Sequence, residues 1–244
     1  MEGKKHILIT MLMLQSILVF GQNNASIYNA YKSGDMHKWR YAMDSIEAVK
    51  QKTDQELLDL INYQYGYIAW CIGNKKNHEA KKYLKKATDN LEKLEPKKYK
   101  TSMLYAYRAA FVGFEIGLAH YKAPFIGPKS LEYAQKSIRT DTLNAIGYIQ
   151  LGNIAYYTPA ILGGSKNEAL AHYLKALKIM EASSEFKTNN WNYLNLLATL
   201  ISAYMDLNQY ETSKHYCLKT LAIEPGFDWV RNNLYPQVIK KLKR

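Results

Sequence analysis

The sequence predicts an all-α protein. From Gln22 onward apolar residues recur at spacings of three and four, runs of strand-like alternation are absent, and turn formers separate the periodic stretches.

Eleven helices follow from that pattern. The first, 23–33, stops at Gly34-Asp35, and the second, 36–51, places Trp39, Ala42, Ile46 and Val49 on one side. The third, 54–73, ends at Gly73-Asn74. In 76–94 a stripe of Ala80, Leu84, Ala87, Leu91 and Leu94 is flanked by Lys81, Lys82, Lys85 and Lys86, so one face is built for packing and the other for water. Pro96 suits the entry to 97–122, and Pro128 the entry to 129–140, because the first helical N–H needs no partner. Helix 143–157 is bounded by the Pro159–Gly164 turn, and 165–182 repeats the apolar stripe through Ala169, Tyr173, Ala176, Leu177 and Met180. Helices 187–207 and 210–223 follow, and Pro225-Gly226 precedes 227–243. In this last stretch Phe227, Trp229, Val230, Leu234 and Val238 can cover the end of the array, and Pro236 breaks or restarts the helix.

The helices repeat in pairs. Ala119–Pro128 parallels Ala155–Gly164, 36 residues further on. Small residues near the starts of second helices, Ala42, Ala80, Ser130, Ala169 and Ser213, recur at intervals of 38 to 50 residues. A small side chain at such a point lets two antiparallel helices cross closely. Gly113 and Gly117, one turn apart, also suggest a close crossing.

These residues resemble the tetratricopeptide repeat family. The best matching unit is 197–225, where Leu200, Tyr204, Tyr210, Ser213, Cys217, Thr220 and Pro225 stand at the motif's large, aromatic, small and proline positions. A second unit, 148–177, matches through Tyr148, Leu151-Gly152, Ala155, Ala169, Tyr173 and Ala176. Residues 64–87 and 27–49 fit more loosely, and the intervals depart from the family's 34 residues. The resemblance implies an α–α superhelix of about five hairpins plus a C-terminal capping helix. A non-repeating helical bundle is the alternative.

Residues 1–21 have the layout of a secretory signal peptide: Lys4-Lys5, an apolar run from Ile7 to Phe20, and Gly21 before the expected cut. The run is shorter than the roughly 20 residues of a spanning helix, which leaves an uncleaved anchor as the lesser reading. No cysteine lies near the cut, so no lipid anchor is expected. The mature domain, 22–244, is expected to be exported, with no transmembrane helix. Cys71 and Cys217 lie in apolar helical patterns and read as buried free thiols, with a disulfide open in an oxidising compartment.

The chain carries +12, with 33 Lys and Arg against 21 Asp and Glu. Without the leader the value is +11, so the charge belongs to the folded part. Residues 75–100 hold ten lysines against four acids, and the tail from Arg231 adds five positive residues. Such stretches suit contact with an anionic surface, or simply solvate convex faces. Export and the lack of a nucleic-acid-binding motif argue against nucleic acid.

No catalytic constellation is legible. The six histidines have no metal-ligand spacing, and Gly163-Gly164 lacks the preceding strand and following Lys–Ser/Thr of a phosphate loop. No cofactor and no enzymatic activity are expected. In tetratricopeptide proteins the first helix of each pair lines a concave binding surface. Carried onto this chain, the resemblance selects Tyr63, Tyr67 and Trp70; His120 and Tyr121; Asn153, Tyr156 and Tyr157; and Asn195, Ser202 and Met205. Aromatic and amide side chains combine contact area with hydrogen bonding. The expected function is a non-catalytic scaffold in the cell envelope that binds a protein or peptide partner. The alternative is a small-ligand or glycan-binding accessory protein, for example one serving a transporter.

Overall fold

The computed structural model describes residues 24–183 and 189–243; the expected leader lies outside them. Among the described residues the chain is all-helical, with no strand and eleven α-helices. They are α1 (24–33), α2 (Met36–Ala48), α3 (Asp54–Gly73), α4 (Asn77–Leu94), α5 (Thr101–Leu118), α6 (Ala123–Thr140), α7 (Ala145–Tyr157), α8 (Lys166–Ala182), α9 (Trp191–Asp206), α10 (Tyr210–Ile223) and α11 (Tyr235–Leu242). None is long and apolar enough to cross a membrane.

Local chemistry sets the helix starts. Thr53 and Glu56 form a reciprocal capping box on α3, with Glu56 Oε2 accepting from Thr53 N at 2.7 Å and Thr53 Oγ1 from Glu56 N at 3.2 Å. Asp35, Asn144, Ser165 and Asn190 accept from the first-turn N–H groups of α2, α7, α8 and α9. Two expected boundaries move. The stretch expected as 97–122 begins instead with a single 3₁₀ turn, Glu95–Lys97, and a kink in which Lys98 and Lys100 take left-handed backbone, φ 54° and 44°. Residues 123–128, expected as a break, are helical. Pro124 occupies the first turn of α6, where its missing N–H costs nothing, and Pro128 gives up one hydrogen bond a turn later. Near the C-terminus a π-helical turn, Trp229–Leu234, leads into α11, with Pro236 at its start.

Consecutive helices pack as antiparallel pairs: α3 with α4, α5 with α6, α7 with α8, α9 with α10. The first helices of successive pairs also touch, α3 with α5 and α5 with α7. The small residues read from the sequence, Ala42, Ala80, Ser130, Ala169 and Ser213, are all buried. The two serines use the close approach to bond the partner helix: Ser130 Oγ donates to the Ala109 carbonyl at 2.9 Å and Ser213 Oγ to that of Ile201 at 2.8 Å. Gly113 has nothing within 4 Å of a built Cβ, so it marks no crossing, and Gly117 is in ordinary contact with Ile72. The tight crossings are at Gly66, Gly147 and Gly152, where a Cβ would come within 2.4–2.6 Å of Trp191, Ser137 and Tyr173.

The main apolar core runs from Ile27 to Val238, with a small second cluster of Ala109, Ala134 and Leu151 between α5, α6 and α7. Its centre lies among the first helices of the pairs. The Tyr65 ring on α3 stacks on Phe114 of α5 at 5.6 Å and meets Trp191 of α9 at 6.1 Å, while its hydroxyl accepts from Gln150 Nε2 of α7 at 3.2 Å. Trp191 in turn lies edge-on to Trp39 at 5.0 Å and to Tyr31 at 5.6 Å. The chain therefore closes on itself: α1, α2 and α3 rest against α9, and Tyr31 also meets Phe227 beyond α10 at 5.4 Å.

Candidate functional site

Two of the eleven residues expected to meet a partner are part of this core. Tyr63 and Tyr67 are buried. The Tyr63 carbonyl accepts from Trp39 Nε1 at 3.1 Å, and the Tyr67 hydroxyl turns away toward α4, donating to Glu79 Oε1 at 2.8 Å. The reason is that α3 is enclosed by α2, α4, α5 and the start of α9, so almost all of its circumference is core. Trp70, half-buried, packs on Tyr67 and carries the Lys76 ammonium 4.5 Å over its ring. Asn195 is engaged by Tyr31, whose hydroxyl donates to its Oδ1 at 2.8 Å. Ser202 bonds back to the Ala198 carbonyl at 3.1 Å, and Met205 lines a small cleft with Gln237, Lys240 and Lys241 of α11. His120 and Tyr121 stand exposed on the turn between α5 and α6, at the edge of the array.

Asn153, Tyr156 and Tyr157 are brought together at the end of α7, with Asn153 and Tyr156 half-buried and Tyr157 exposed. Tyr157 is 77 % exposed and its ring meets that of Tyr156 edge-on at 5.0 Å. The Tyr156 hydroxyl donates to Asp206 Oδ2 at the end of α9, and Lys166 Nζ of α8 bonds the same oxygen at 3.0 Å while lying 5.6 Å over the Tyr156 ring. Burial by itself would raise the Asp206 pKa, but the bonds from Tyr156 and Lys166 and the Lys166 charge outweigh it and hold the carboxyl below its ordinary value. Behind this pair runs a polar chain. Tyr173 Oη donates to Asn153 Oδ1 at 2.9 Å, Asn153 Nδ2 to Gln150 Oε1 at 3.2 Å, and Gln150 to Tyr65. The outcome is a neutralised Tyr–Asp–Lys group and a line of amides, with the exposed Tyr157 ring against Tyr156. Such a surface can stack on a planar or apolar group and hydrogen-bond a peptide backbone.

The sequence reading missed Asp206, Lys166, Gln150 and Tyr65. Asp206 is 50 residues from Tyr156, and no local spacing announces a pair at that range.

The Tyr156–Asp206–Lys166 arrangement recurs. Tyr28 donates to Glu224, which Lys32 approaches at 3.7 Å; Tyr67 donates to Glu79, bonded by Arg40 at 3.3 Å. Tyr83 donates to Asp44 near Lys86, and Tyr193 to Glu181, bonded by Lys219 at 2.6 Å. In each, phenol, carboxylate and cation join separate parts of the fold. Burial first, and then the adjacent carboxylate, pushes these tyrosines above their ordinary pKa of 10.0, so they stay protonated donors near neutrality. Tyr193 is raised by burial together with Glu181 in the same way.

No group of three His, Cys, Asp or Glu among the described residues could hold a metal ion. Cys71 and Cys217 are buried and free. Compared with family models and with curated proteins, the chain matches none.

Proposed function

We propose that the chain is a tetratricopeptide-like, non-catalytic interaction module, exported to the cell envelope after loss of its leader, which binds a protein or peptide partner at the end of α7. The observation that carries this reading is Tyr157: a large aromatic side chain, 77 % exposed, held over the Tyr156–Asp206–Lys166 group and the Asn153 amide. A folded chain gains nothing from ordering an aromatic ring in water, whereas aromatic anchors beside satisfied polar groups are typical of interface hot spots. Paired helices with small residues buried at their crossings support the tetratricopeptide-like description. The partner's surface is expected to be complementary to an exposed phenol beside a satisfied polar group, namely a peptide offering a planar or apolar side chain to Tyr157 and backbone hydrogen-bonding groups to its hydroxyl.

The test is affinity capture from envelope extracts with the purified chain as bait. Tyr157→Ala is expected to abolish capture of a specific partner and leave thermal unfolding unchanged, because the side chain is exposed. Equal capture by Tyr157→Ala and the unaltered protein would remove this site from consideration.

A further inference from the structure

Antiparallel pairing puts the turns that join α1 to α2, α3 to α4, α5 to α6, α7 to α8 and α9 to α10 on one edge of the array. Three of them are polar: Gly34-Asp35, Asn74-Lys75-Lys76 and Asn208-Gln209. The other two, on neighbouring pairs, present bare apolar side chains. Phe125 is 81 % exposed and Tyr121 77 %; Ile161 is 93 % exposed and Leu162 67 %. The second turn is braced. Leu162 N donates to the Pro159 carbonyl at 2.8 Å, Gly164 N to the same carbonyl at 3.1 Å and Ser165 N to that of Ala155 at 2.9 Å. Gly163 has a positive φ of 91°, and a Cβ on Gly164 would fall 1.8 Å from the Thr158 carbonyl oxygen. The geometry therefore holds Ile161 and Leu162 outward rather than letting them fold back. Neighbouring packed helices lie about 10 Å apart, so the two tips form one short ridge.

We propose that this ridge docks the protein on an anionic lipid bilayer. Lys75 and Lys76 in the turn between α3 and α4, and Lys129 one helical turn after Phe125 in α6, make no ion pair among the described residues, while Glu115 and Asp206 are paired with Lys122 and Lys166 and Glu168 lies 3.8 Å from His172. Beside Tyr121 an open cleft of about 400 Å³ is lined by Leu84 and Leu118, with Lys85 and Lys122 paired to Asp89 and Glu115 and Lys81 as the further lysine of its lining. Apolar tips accompanied by lysines without an acidic partner match the acyl boundary and headgroups of an anionic leaflet. The tips also project singly, and a fluid interface accepts each one without a matching socket, which a rigid protein partner or a second copy would need.

The test is co-sedimentation with phosphatidylcholine vesicles made with and without phosphatidylglycerol. The unaltered protein is expected to bind the anionic vesicles, more weakly as salt rises. The triple variant Phe125→Ser, Ile161→Ser, Leu162→Ser, all at exposed positions, is expected to keep its circular dichroism and lose binding by about a hundredfold. Ile161→Cys carrying an environment-sensitive fluorophore is expected to shift to the blue on the same vesicles; Cys71 and Cys217 are buried and escape the label. Absence of binding by the unaltered protein, undiminished binding by the triple variant, or a label that stays in water would overturn the proposal. A solution dimer dissolved by the same three substitutions would overturn it in favour of a second copy.

Discussion

The Tyr31 hydroxyl donates to Asn195 Oδ1 at 2.8 Å across 164 residues of sequence. Round that bond the Tyr31 ring meets Trp39, Trp191 and Phe227 at 5.7, 5.6 and 5.4 Å. In an open array of helix pairs each unit touches only its neighbours, and the ends fray first. Here the first and ninth helices share a core, and Tyr28 reaches Glu224 at 2.8 Å across 196 residues. With Tyr63 and Tyr67 buried, the exposed aromatic among the residues expected to bind lies at the C-terminal end of α7, beside the end of α9.

Trp191 is the centre of this contact, and its removal is expected to be expensive. Trp191→Ala should lose about 3–5 kcal/mol, the range for deleting a buried aromatic ring. Its indole Nε1 is buried with no hydrogen-bond partner among the described residues. Trp191→Phe is therefore expected to cost much less, since it also removes a donor whose burial is unfavourable by about 1–3 kcal/mol. Urea unfolding followed by circular dichroism separates the two, and near-equal losses would argue against the closed contact.

What the sequence made legible was local. The stripe Ala80, Leu84, Ala87 and Leu91 is buried, and the five small residues lie at crossings, because both follow from periodicity within one helix or one pair. Helix 123–140 was misread at its start, since proline in a first turn and proline in a break look alike as letters. Tyr63, Tyr67 and Asn195 were placed on a surface that the rest of the chain covers. Tyr63 and Asn195 meet residues that arrive from α2 and α1, far away in sequence, while Tyr67 is covered by Tyr83 and Glu79 of the next helix, whose approach no local spacing announces. Tyr156 and Tyr157 were found, but Asp206 and Lys166, which give Tyr156 its setting, were not.

Two glycines test the same packing from opposite sides. An alanine in a helix interior is favoured over glycine by about 1 kcal/mol. At Gly113, with nothing within 4 Å, Gly113→Ala is expected to realise that gain. At Gly66 the new methyl would sit 2.6 Å from Trp191 and 2.9 Å from Trp39, both themselves packed. Gly66→Ala is expected to lose about 1–3 kcal/mol through overpacking. A thermal-shift comparison decides it: stabilisation by both variants would mean that the rings have room to move.

Stability should fall at both ends of the pH range. Burial by itself would lift the Glu79 pKa, but the bonds from Tyr67 and Arg40, with the charges of Arg40 and Lys76, hold it down, as Tyr156 and Lys166 do for Asp206. A carboxylate with a depressed folded pKa stabilises above its unfolded value, about 4, and that contribution disappears as pH falls through the folded value. The urea midpoint is expected to stay level between about pH 7 and 5 and to drop below about 4. Tyr67→Phe combined with Tyr156→Phe should shrink that drop. Burial raises Tyr31 and Tyr107 above 10.0, so their contribution is complete below that pH and is lost above it as the phenols are forced to ionise. Acid loss undiminished in the double variant would assign the effect to other groups.

The two thiols report whether the closed circuit opens as a unit. Cys71 in α3 and Cys217 in α10 are both fully buried. Burial pushes each thiol up to about 12, with the Glu79 charge adding to the effect at Cys71, so little thiolate exists at neutral pH. Each is expected to react with a thiol reagent only after the structure around it opens. In an open array the last pair would fray ahead of the middle ones, and Cys217 would label well before Cys71. With α1 resting on α9 and Tyr28 bonded to Glu224 just after α10, the last pair is tied to the first. Cys71 and Cys217 are therefore expected to label at rates within about tenfold of each other, set by a common opening. Mass spectrometry of the two peptides over a labelling time course measures both rates. Much faster modification of Cys217 would show that the contact between first and ninth helices does not restrain the C-terminal pair.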